Sequence, residues 1–389
     1  MDIINKRIGI VGGGQLGKMM ILEAKRLGFY VTTLDPSIDC PSHSISDEHI
    51  VAAFDDIQAY VELAEISNVI TYEFEHIHAG VLEELELNGN IIYPSVKSLK
   101  LIQNKYTQNK TLQDGGVPVP GFRPVESLSA IKLLGKKNNF GYPLMLKTTL
   151  GGYDGKGNAL IKSESEIEAA YISLGSGAVE LMAEEFVDFD KEISIIATRG
   201  ADGAKVVYPA AENSHTNNIL DTTVVPARIP AATLSNAAEI AEQVMEIFEG
   251  VGTFCVEMFV KNNGDVLVNE VAPRPHNSGH YTIEGCFANQ FENHIRAITG
   301  LPLGSVSLRK PTVMVNLLGE SNGPSLMVGL DDAYMDPNVH VHFYGKTESR
   351  VGRKMGHITV TDDTLEGALA RAEKARRLVR VIGTRDKAP

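Results

Sequence analysis

The sequence predicts a multidomain protein of mixed α/β and α+β class: a parallel-sheet domain first, then a small α+β domain, then a larger strand-rich one. Three observations predict it. The first hundred residues alternate strand and helix patterns, the signature of a parallel sheet. A glycine–proline run at 115–121 breaks the helical stretch before it. From about residue 190 the pattern turns strand-rich, with one clear helix at 233–249 and a last one at 364–377. The domains are read as 1–112, 113–189 and 190–389, and a chain of 389 residues can bury a core in each.

Composition narrows the function. The net charge of −13 argues against nucleic acid as a main partner, because phosphate neutralisation needs a surplus of Lys and Arg. No apolar run approaches the roughly 18 residues of a membrane span, and the N-terminus runs straight into a strand without signal-peptide design. Cys40, Cys255 and Cys286 fit neither a disulfide framework nor a zinc site. Reduced thiols and a cytoplasmic location are expected.

The first element is strand, glycine turn, helix. Ile8–Val11 meets Gly12-Gly13-Gly14-Gln15-Leu16-Gly17, a helix runs to Leu27, Gly28 ends it, and Tyr30–Asp35 is the next strand. The turn satisfies G-x-G-x-x-G with Asp35 downstream, so a dinucleotide site and a tight packing turn are both open readings. Strands follow near 49–52, 68–72 and 90–93, then helical character from 96 to 114.

The second domain carries Lys147 at the end of the strand Leu144–Leu146, just before Gly151–Asn158. Four glycines in seven residues make a flap whose amides can cover phosphate oxygens, with the lysine as a point charge toward them. The G-K-[ST] ending of a P-loop is absent. A flexible hairpin tip is the plainer alternative. The strand Val179–Val187 follows.

The third domain contains two apolar strands, 253–260 and 266–271, joined through Asn263-Gly264. Asn-Gly is a strong hairpin signal, and a two-residue turn there sets Glu257 directly opposite Glu270. Opposed carboxylates within apolar strands need compensation: one stays protonated, or a divalent cation sits between them. Both facing solvent on an edge hairpin is the plainer alternative. Asn269 adds a hard oxygen, and all-oxygen ligation suits Mg²⁺. Arg274, His276 and Asn277 follow where the second strand ends.

Taken together, these motifs resemble the ATP-grasp superfamily, and within it the N5-carboxyaminoimidazole ribonucleotide synthase family. The carriers are GGGQLG (12–17), TYEFEH (71–76), TTLGGYDGKGN (148–158), EEFVDFDKEIS (184–194), ENSH (212–215), NEVAPRPHNSGHYTIE (269–284) and GKTESRVGRKMGH (345–357), so the resemblance spans roughly 7–380.

It implies an ATP-grasp fold with a preATP-grasp domain, a flap domain and a catalytic domain. It also implies a ligase that carboxylates the amine of aminoimidazole ribonucleotide with ATP, Mg²⁺ and bicarbonate, usually as a homodimer. By resemblance, Lys105 and Lys147 contact phosphates under the flap Gly152, Tyr153, Asp154, Gly155, Lys156, Gly157 and Asn158. Asn158 departs from the glutamine more usual there. Glu184, Glu185, Phe186 and Val187 form the adenine hinge, and Glu192 holds the ribose. His215 and Asn269 join the nucleotide site, Glu257 and Glu270 take the metal, and Arg274, His276 and Asn277 could hold a planar bicarbonate by charge-assisted hydrogen bonds. Gln15, Leu16, Glu73 and Glu75 neighbour the ribonucleotide, and Lys346, Arg353 and Lys354 take its 5′-phosphate. Three competitors remain: a formate-dependent glycinamide ribonucleotide transformylase, an NAD(P)-dependent oxidoreductase, and a non-catalytic nucleotide-binding regulator.

Overall fold

Apolar strands set between glycines build the first sheet of the computed structural model, which describes residues 6–136, 138–152 and 157–384. Strands β1 (Arg7–Val11), β2 (Tyr30–Leu34), β3 (Glu48–Ile50) and β4 (Val69–Tyr72) pair in the order β3-β2-β1-β4, all parallel. Helices α1 (Gln15–Arg26) and α2 (Ile57–Glu65) supply crossovers, and α3 (Ala79–Leu87) follows β4. The strand expected near 90–93 shrinks to one bridge, Ile92 to Ile70. Pro94 follows and has no N–H to extend a ladder.

The helical stretch from 96 to 114 is two helices, α4 (Val96–Gln103) and α5 (Lys105–Asp114). Asn104 between them is extended, and its side chain accepts from the Thr107 N–H at 3.0 Å, capping α5. The break sets Lys105 at the start of a new helix.

The small domain holds β5 (Phe122–Val125), β6 (Leu144–Thr148), β7 (Asn158–Ile161) and β8 (Leu181–Glu185), ordered β5-β8-β6-β7 and antiparallel. Helices α6 (Leu128–Leu134) and α7 (Ile167–Ser173) cover it. Its apolar cluster, around Ile131, Leu144, Leu146 and Ile161, is drawn from this domain alone.

A nine-stranded sheet forms the rest. Strands β9 (Lys191–Arg199), β10 (Lys205–Val207), β11 (Ala211–Thr216) and β12 (Ile219–Val225) precede α8 (Ala231–Phe248). Next come β13 (Gly252–Val260), β14 (Val266–Ala272), α9 (Thr282–Gly285), α10 (Gln290–Thr299) and β15 (Thr312–Leu318). The C-terminal part adds β16 (Gly323–Val328), α11 (Leu330–Ala333), β17 (Val339–Phe343), β18 (Glu348–Ser349), β19 (Lys354–Thr361), α12 (Leu365–Leu378) and β20 (Arg380–Gly383). The large sheet runs β14-β13-β9-β11-β12-β15-β19-β17 with β10 on β9, while β18, β16 and β20 form a small sheet of their own.

The first domain and the large domain share cores. Ile8, Ile10 and Met20 pack with Phe291, Ile295 and Ile298 of α10, and Ile102 and Leu112 pack with α8, β13 and β14. A polar bolt joins them as well: fully buried His294 meets Thr71 Oγ1 at 2.8 Å and accepts from the Thr253 N–H at 3.1 Å. Two domains are thus welded, and the small domain has a core to itself.

Candidate active site

The β13–β14 hairpin positions the acidic centre. Glu257 does face Glu270, but not through a two-residue turn. The Lys261 N–H donates to Asp265 O at 2.9 Å, closing a longer loop of Asn262, Asn263 and Gly264, with Gly264 at φ 87°. That loop shifts the register by one, and a bulge shifts it back: Met258 pairs with Val268, Glu257 with Glu270, and Asn269 is the extra residue. In a regular strand Asn269 and Glu270 would face opposite ways. Here both line the same cleft, of about 460 Å³, together with Glu257.

The electrostatics are those of an opposed pair. Burial, then the charge of Glu270, pushes the Glu257 carboxyl up to about 7. A divalent cation relieves that cost, and Glu257, Glu270 and Asn269 form an all-oxygen donor set that fits Mg²⁺. Cys255, Glu257 and His276 also bring ligating atoms within 4.8 Å of one another. Burial raises the Cys255 thiol well above its usual range, so it stays a protonated packing group.

Lys105, Lys147 and His215 each meet an acid. Lys105 Nζ lies 2.8 Å from Glu270 Oε1. Burial would lower its pKa, but Glu270 outweighs burial and raises it. Lys147 pairs with Glu184, and His215 with Glu192. Burial would lower the His215 imidazole, and its bond to Glu192 raises it.

Arg274 forks onto Glu75, Nε to Oε2 at 2.6 Å and Nη2 to Oε1 at 3.1 Å, and Nη1 donates to Pro275 O at 3.2 Å. Burial pushes the Glu75 carboxyl up, but Arg274 brings it down to about 2. His276, whose Nε2 is 3.3 Å from Glu257 Oε1, is held well below the usual imidazole range by burial and by Arg274. Asn277 is tied to Asn316 by reciprocal amide bonds of 3.0 and 2.9 Å.

The first glycine loop closes one end of the cleft through Gln15 and Leu16. The amides of its four glycines are already taken, that of Gly12 by Leu34 O at 2.9 Å. The Gly13 N–H donates to Asp35 Oδ2 at 2.8 Å, the Gly17 N–H to Glu73 Oε2 at 2.7 Å, and the Gly14 N–H to Glu73 as well. A Cβ on Gly12 or Gly14 would come within 2.4 Å of the Glu73 side chain. The glycines admit a carboxylate of the protein itself, and a dinucleotide pyrophosphate would meet two acids where its fingerprint needs bare amides. This removes the oxidoreductase reading. Burial raises the Glu73 carboxyl, against the lowering effect of the two amides.

Of the other candidates, Glu73, Glu75, Lys105, Gly152, Asn158, Glu192, His215, Arg274, His276, Asn277 and Lys354 line the same cleft. Lys346 and Arg353 do not. They line an adjoining recess beside Gly14, Gln15, Asp35 and Asp39. Glu184 to Val187 also lie off the cleft lining. Glu184 is buried, paired on both strand edges, and held by Lys147 and by Asn109 Nδ2 at 2.9 Å. Phe186 is exposed on the connector that leaves β8. Lys147 is buried, with Asn158 as its cross-strand partner, and the Thr148 N–H donates to Gly157 O at 2.8 Å, closing the base of the flap loop. Tyr153, Asp154, Gly155 and Lys156 lie outside the described residues.

Sequence reasoning missed Phe259, Asn213 and Asn218, which line the cleft too. Phe259 was legible: it stands two residues beyond Glu257, hence on the same strand face, and stacks on Phe189 at 4.7 Å. A flat aromatic beside a polar cleft offers a surface for a planar base. Asn158 Oδ1, buried and without a hydrogen-bond partner among the described residues, adds an acceptor to the wall.

Comparison with known proteins agrees along the chain. Residues 5–103 match the ribonucleotide synthetase preATP-grasp domain, 110–291 the ATP-grasp domain, and 312–371 the phosphoribosylaminoimidazole carboxylase C-terminal domain. The chain is 43% identical over 353 residues to the N5-carboxyaminoimidazole ribonucleotide synthase of Bacillus subtilis (strain 168), covering 90% of each. The solved structure of N5-carboxyaminoimidazole ribonucleotide synthetase from Thermotoga maritima superposes with a TM-score of 0.89 at 44% identity, over 97% of this chain and 100% of that one. The Aspergillus clavatus enzyme, solved with ADP and 5-aminoimidazole ribonucleotide, gives 0.88 at 33% identity, over 96% and 98%.

Proposed function

Because this chain belongs to the N5-carboxyaminoimidazole ribonucleotide synthases, ATP-dependent ligases of the ATP-grasp superfamily that act in purine biosynthesis, we propose how it carries out that carboxylation. Bicarbonate is the carboxyl source, and the exocyclic amine of 5-aminoimidazole ribonucleotide is the acceptor. The observation that carries this is one cleft holding the Glu257–Glu270 pair, the Arg274–His276 segment and the glycine loop of the first domain. Phosphoryl activation and the amine acceptor then meet without a transfer between sites.

In the proposed reaction a bicarbonate oxygen attacks the γ-phosphorus of ATP, giving carboxyphosphate and ADP. The amine then takes the carboxyl carbon, loses a proton, and phosphate leaves. Lys105 and Lys147 turn from Glu270 and Glu184 toward the phosphates, and the freed carboxylate of Glu270 joins Glu257 and Asn269. Mg²⁺ held by these oxygens would neutralise charge on the transferring phosphoryl group.

Arg274, steadied by Glu75, keeps one N–H on each Nη nitrogen for an anionic oxygen, and His276 offers a neutral ring beside it. Phe259, Glu192 and His215 receive the nucleoside end of ATP. The 5′-phosphate of the ribonucleotide goes to Lys354 and to the recess of Lys346 and Arg353. The flap 152–158 excludes water from carboxyphosphate.

Supporting a soluble, cytosolic enzyme, no helix among the described residues is long and apolar enough to cross a membrane. All three cysteines are free and buried. A homodimer is proposed on the resemblance alone.

The test is ADP release with ATP, Mg²⁺ and bicarbonate, with and without aminoimidazole ribonucleotide. Strong stimulation by the ribonucleotide that requires bicarbonate is expected. Stimulation by formate with glycinamide ribonucleotide instead would favour the transformylase reading.

A further inference from the structure

His276 sits at the end of a chain of buried polar side chains that runs through Ser278 and Ser194 to Asn213, which lines the same cleft, and on to Thr223. The backbone N–H of Ser278 donates to His276 Nδ1 at 3.3 Å, and Ser278 Oγ lies 2.9 Å from the same nitrogen. With a backbone N–H aimed at it, Nδ1 is an acceptor, so the Ser278 hydroxyl donates too. Ser278 Oγ in turn accepts from Ser194 Oγ at 2.8 Å, with the Cys255 thiol 3.7 Å away. Ser194 Oγ accepts from Asn213 Nδ2 at 2.9 Å, and Asn213 Oδ1 accepts from Thr223 Oγ1 at 2.9 Å. Ser194, Ser278 and Thr223 are fully buried, so none has water as an alternative partner. Every donor in the series points the same way, from Thr223 toward the imidazole.

The ring has one proton left to place. With Nδ1 occupied as an acceptor, the proton is on Nε2, the atom that faces Glu257 in the cleft. We propose that Ser278, with Ser194 and Asn213 behind it, are positioning residues that lock His276 in the Nε2–H tautomer, so that the ring serves the reaction as a hydrogen-bond donor to an anionic oxygen and not as a base.

The chemical class of its ligand follows. A donor N–H beside the Arg274 fork suits an oxyanion such as bicarbonate or the carboxyl oxygens derived from it. This part rests on the carboxylating reading above; the tautomer lock does not. Ser278→Ala keeps the backbone N–H, but at 3.3 Å that contact is long and holds the ring weakly beside the hydroxyl at 2.9 Å, so loss of the hydroxyl nearest the ring should loosen the ring first.

The experiment pairs ¹⁵N-histidine NMR with kinetics on the full-length protein. The His276 signals are assigned by their loss in His276→Gln. Wild type should show one state, with Nδ1 unprotonated and Nε2 protonated. Ser278→Ala should show mixed tautomers, with kcat lowered roughly 10- to 100-fold, the range typical when a partner orienting a working imidazole is removed. Its KM for ATP should be unchanged, and Ser194→Ala should show a smaller change of the same kind. Thr198→Val removes an equally buried hydroxyl on β9, the strand that carries Ser194, bonded to Thr253 Oγ1 at 2.8 Å, and should leave both readouts as in wild type.

The proposal is overturned if Ser278→Ala keeps a single Nε2–H state, whatever its kcat. It is also overturned if wild type carries its proton on Nδ1, or if Thr198→Val loses as much activity as Ser278→Ala. If wild type failed to carboxylate the ribonucleotide, the functional reading would fall while the NMR arm still decided the tautomer lock.

Discussion

Replacing Glu75 by Gln tests the joint between the first and third domains together with the electrostatics of the cleft. Glu75 and Arg274 meet through two hydrogen bonds, of 2.6 and 3.1 Å, and each side chain keeps only 15% of its surface exposed. Burial alone would raise the Glu75 carboxyl, yet Arg274 carries it from 4.5 down to about 2. At 1.36 kcal/mol per unit, that depression corresponds to about 3 kcal/mol of stability in the charged form. It is fully present above the unfolded pKa and is lost as pH falls through about 4.5 toward 2.

Gln keeps the shape but leaves Arg274 buried without a counter-charge, and breaking such a pair typically costs about 3–5 kcal/mol. Glu75→Gln should therefore unfold at lower urea, by about 2–4 kcal/mol at pH 7.5. The shared apolar core should make the two domains unfold as one unit. By pH 3 the gap to wild type should have narrowed, because the Glu75 carboxyl of the unfolded wild-type chain takes up its proton there while the folded one, near 2, still holds its charge. The apparent KM for bicarbonate should rise as Arg274 loses its fixed orientation. A difference below about 0.5 kcal/mol at neutral pH, the level of an ordinary surface substitution, would refute the reasoning. So would a gap that stays constant into acid.

Other expectations follow from the same geometry. Glu270→Ala should abolish ATP turnover while the circular dichroism spectrum stays native; near-normal turnover would sink the metal assignment. Mg²⁺ binding should weaken roughly tenfold per unit as pH falls below about 7, since Glu257 must shed its proton to ligate; calorimetry showing constant affinity from pH 6 to 8 would contradict this. His280 and His357 are held well below the usual imidazole range by burial, and His294 is brought down to about 3. Groups buried neutral stabilise the fold above the unfolded pKa near 6.5 and lose that contribution below it. Stability should then fall by up to about 1.4 kcal/mol per pH unit for each, measured by urea titration across pH 7 to 5.

The β–glycine–α opening and the paired carboxylates could both be read from residue spacing, because strand and helix periods and turn glycines are local properties. The Glu257–Glu270 pairing was reached through the wrong turn: the loop is one residue longer than assumed, and the bulge at Asn269 restores the register. A bulge leaves little mark in a sequence, and this one is what brings Asn269 and Glu270 onto one face. The break at Asn104 hid inside good helix formers and showed only as an Asn able to cap. The pairing of Glu184 with Lys147 left no mark in the sequence, because it arises only when neighbouring strands turn both side chains to the same side. The first glycine loop was ambiguous for a physical reason. Its bare amides suit any anion, and Glu73, nearly sixty residues away, reaches them only once the fold has formed.

The most direct test of the account is transfer of oxygen from labelled bicarbonate. With ¹⁸O-bicarbonate, ATP, Mg²⁺ and aminoimidazole ribonucleotide, mass spectrometry of the released phosphate should find one bicarbonate oxygen in each phosphate formed, with stoichiometric carboxylated ribonucleotide. Carboxylated product accompanied by unlabelled phosphate would contradict activation of bicarbonate by the γ-phosphoryl group.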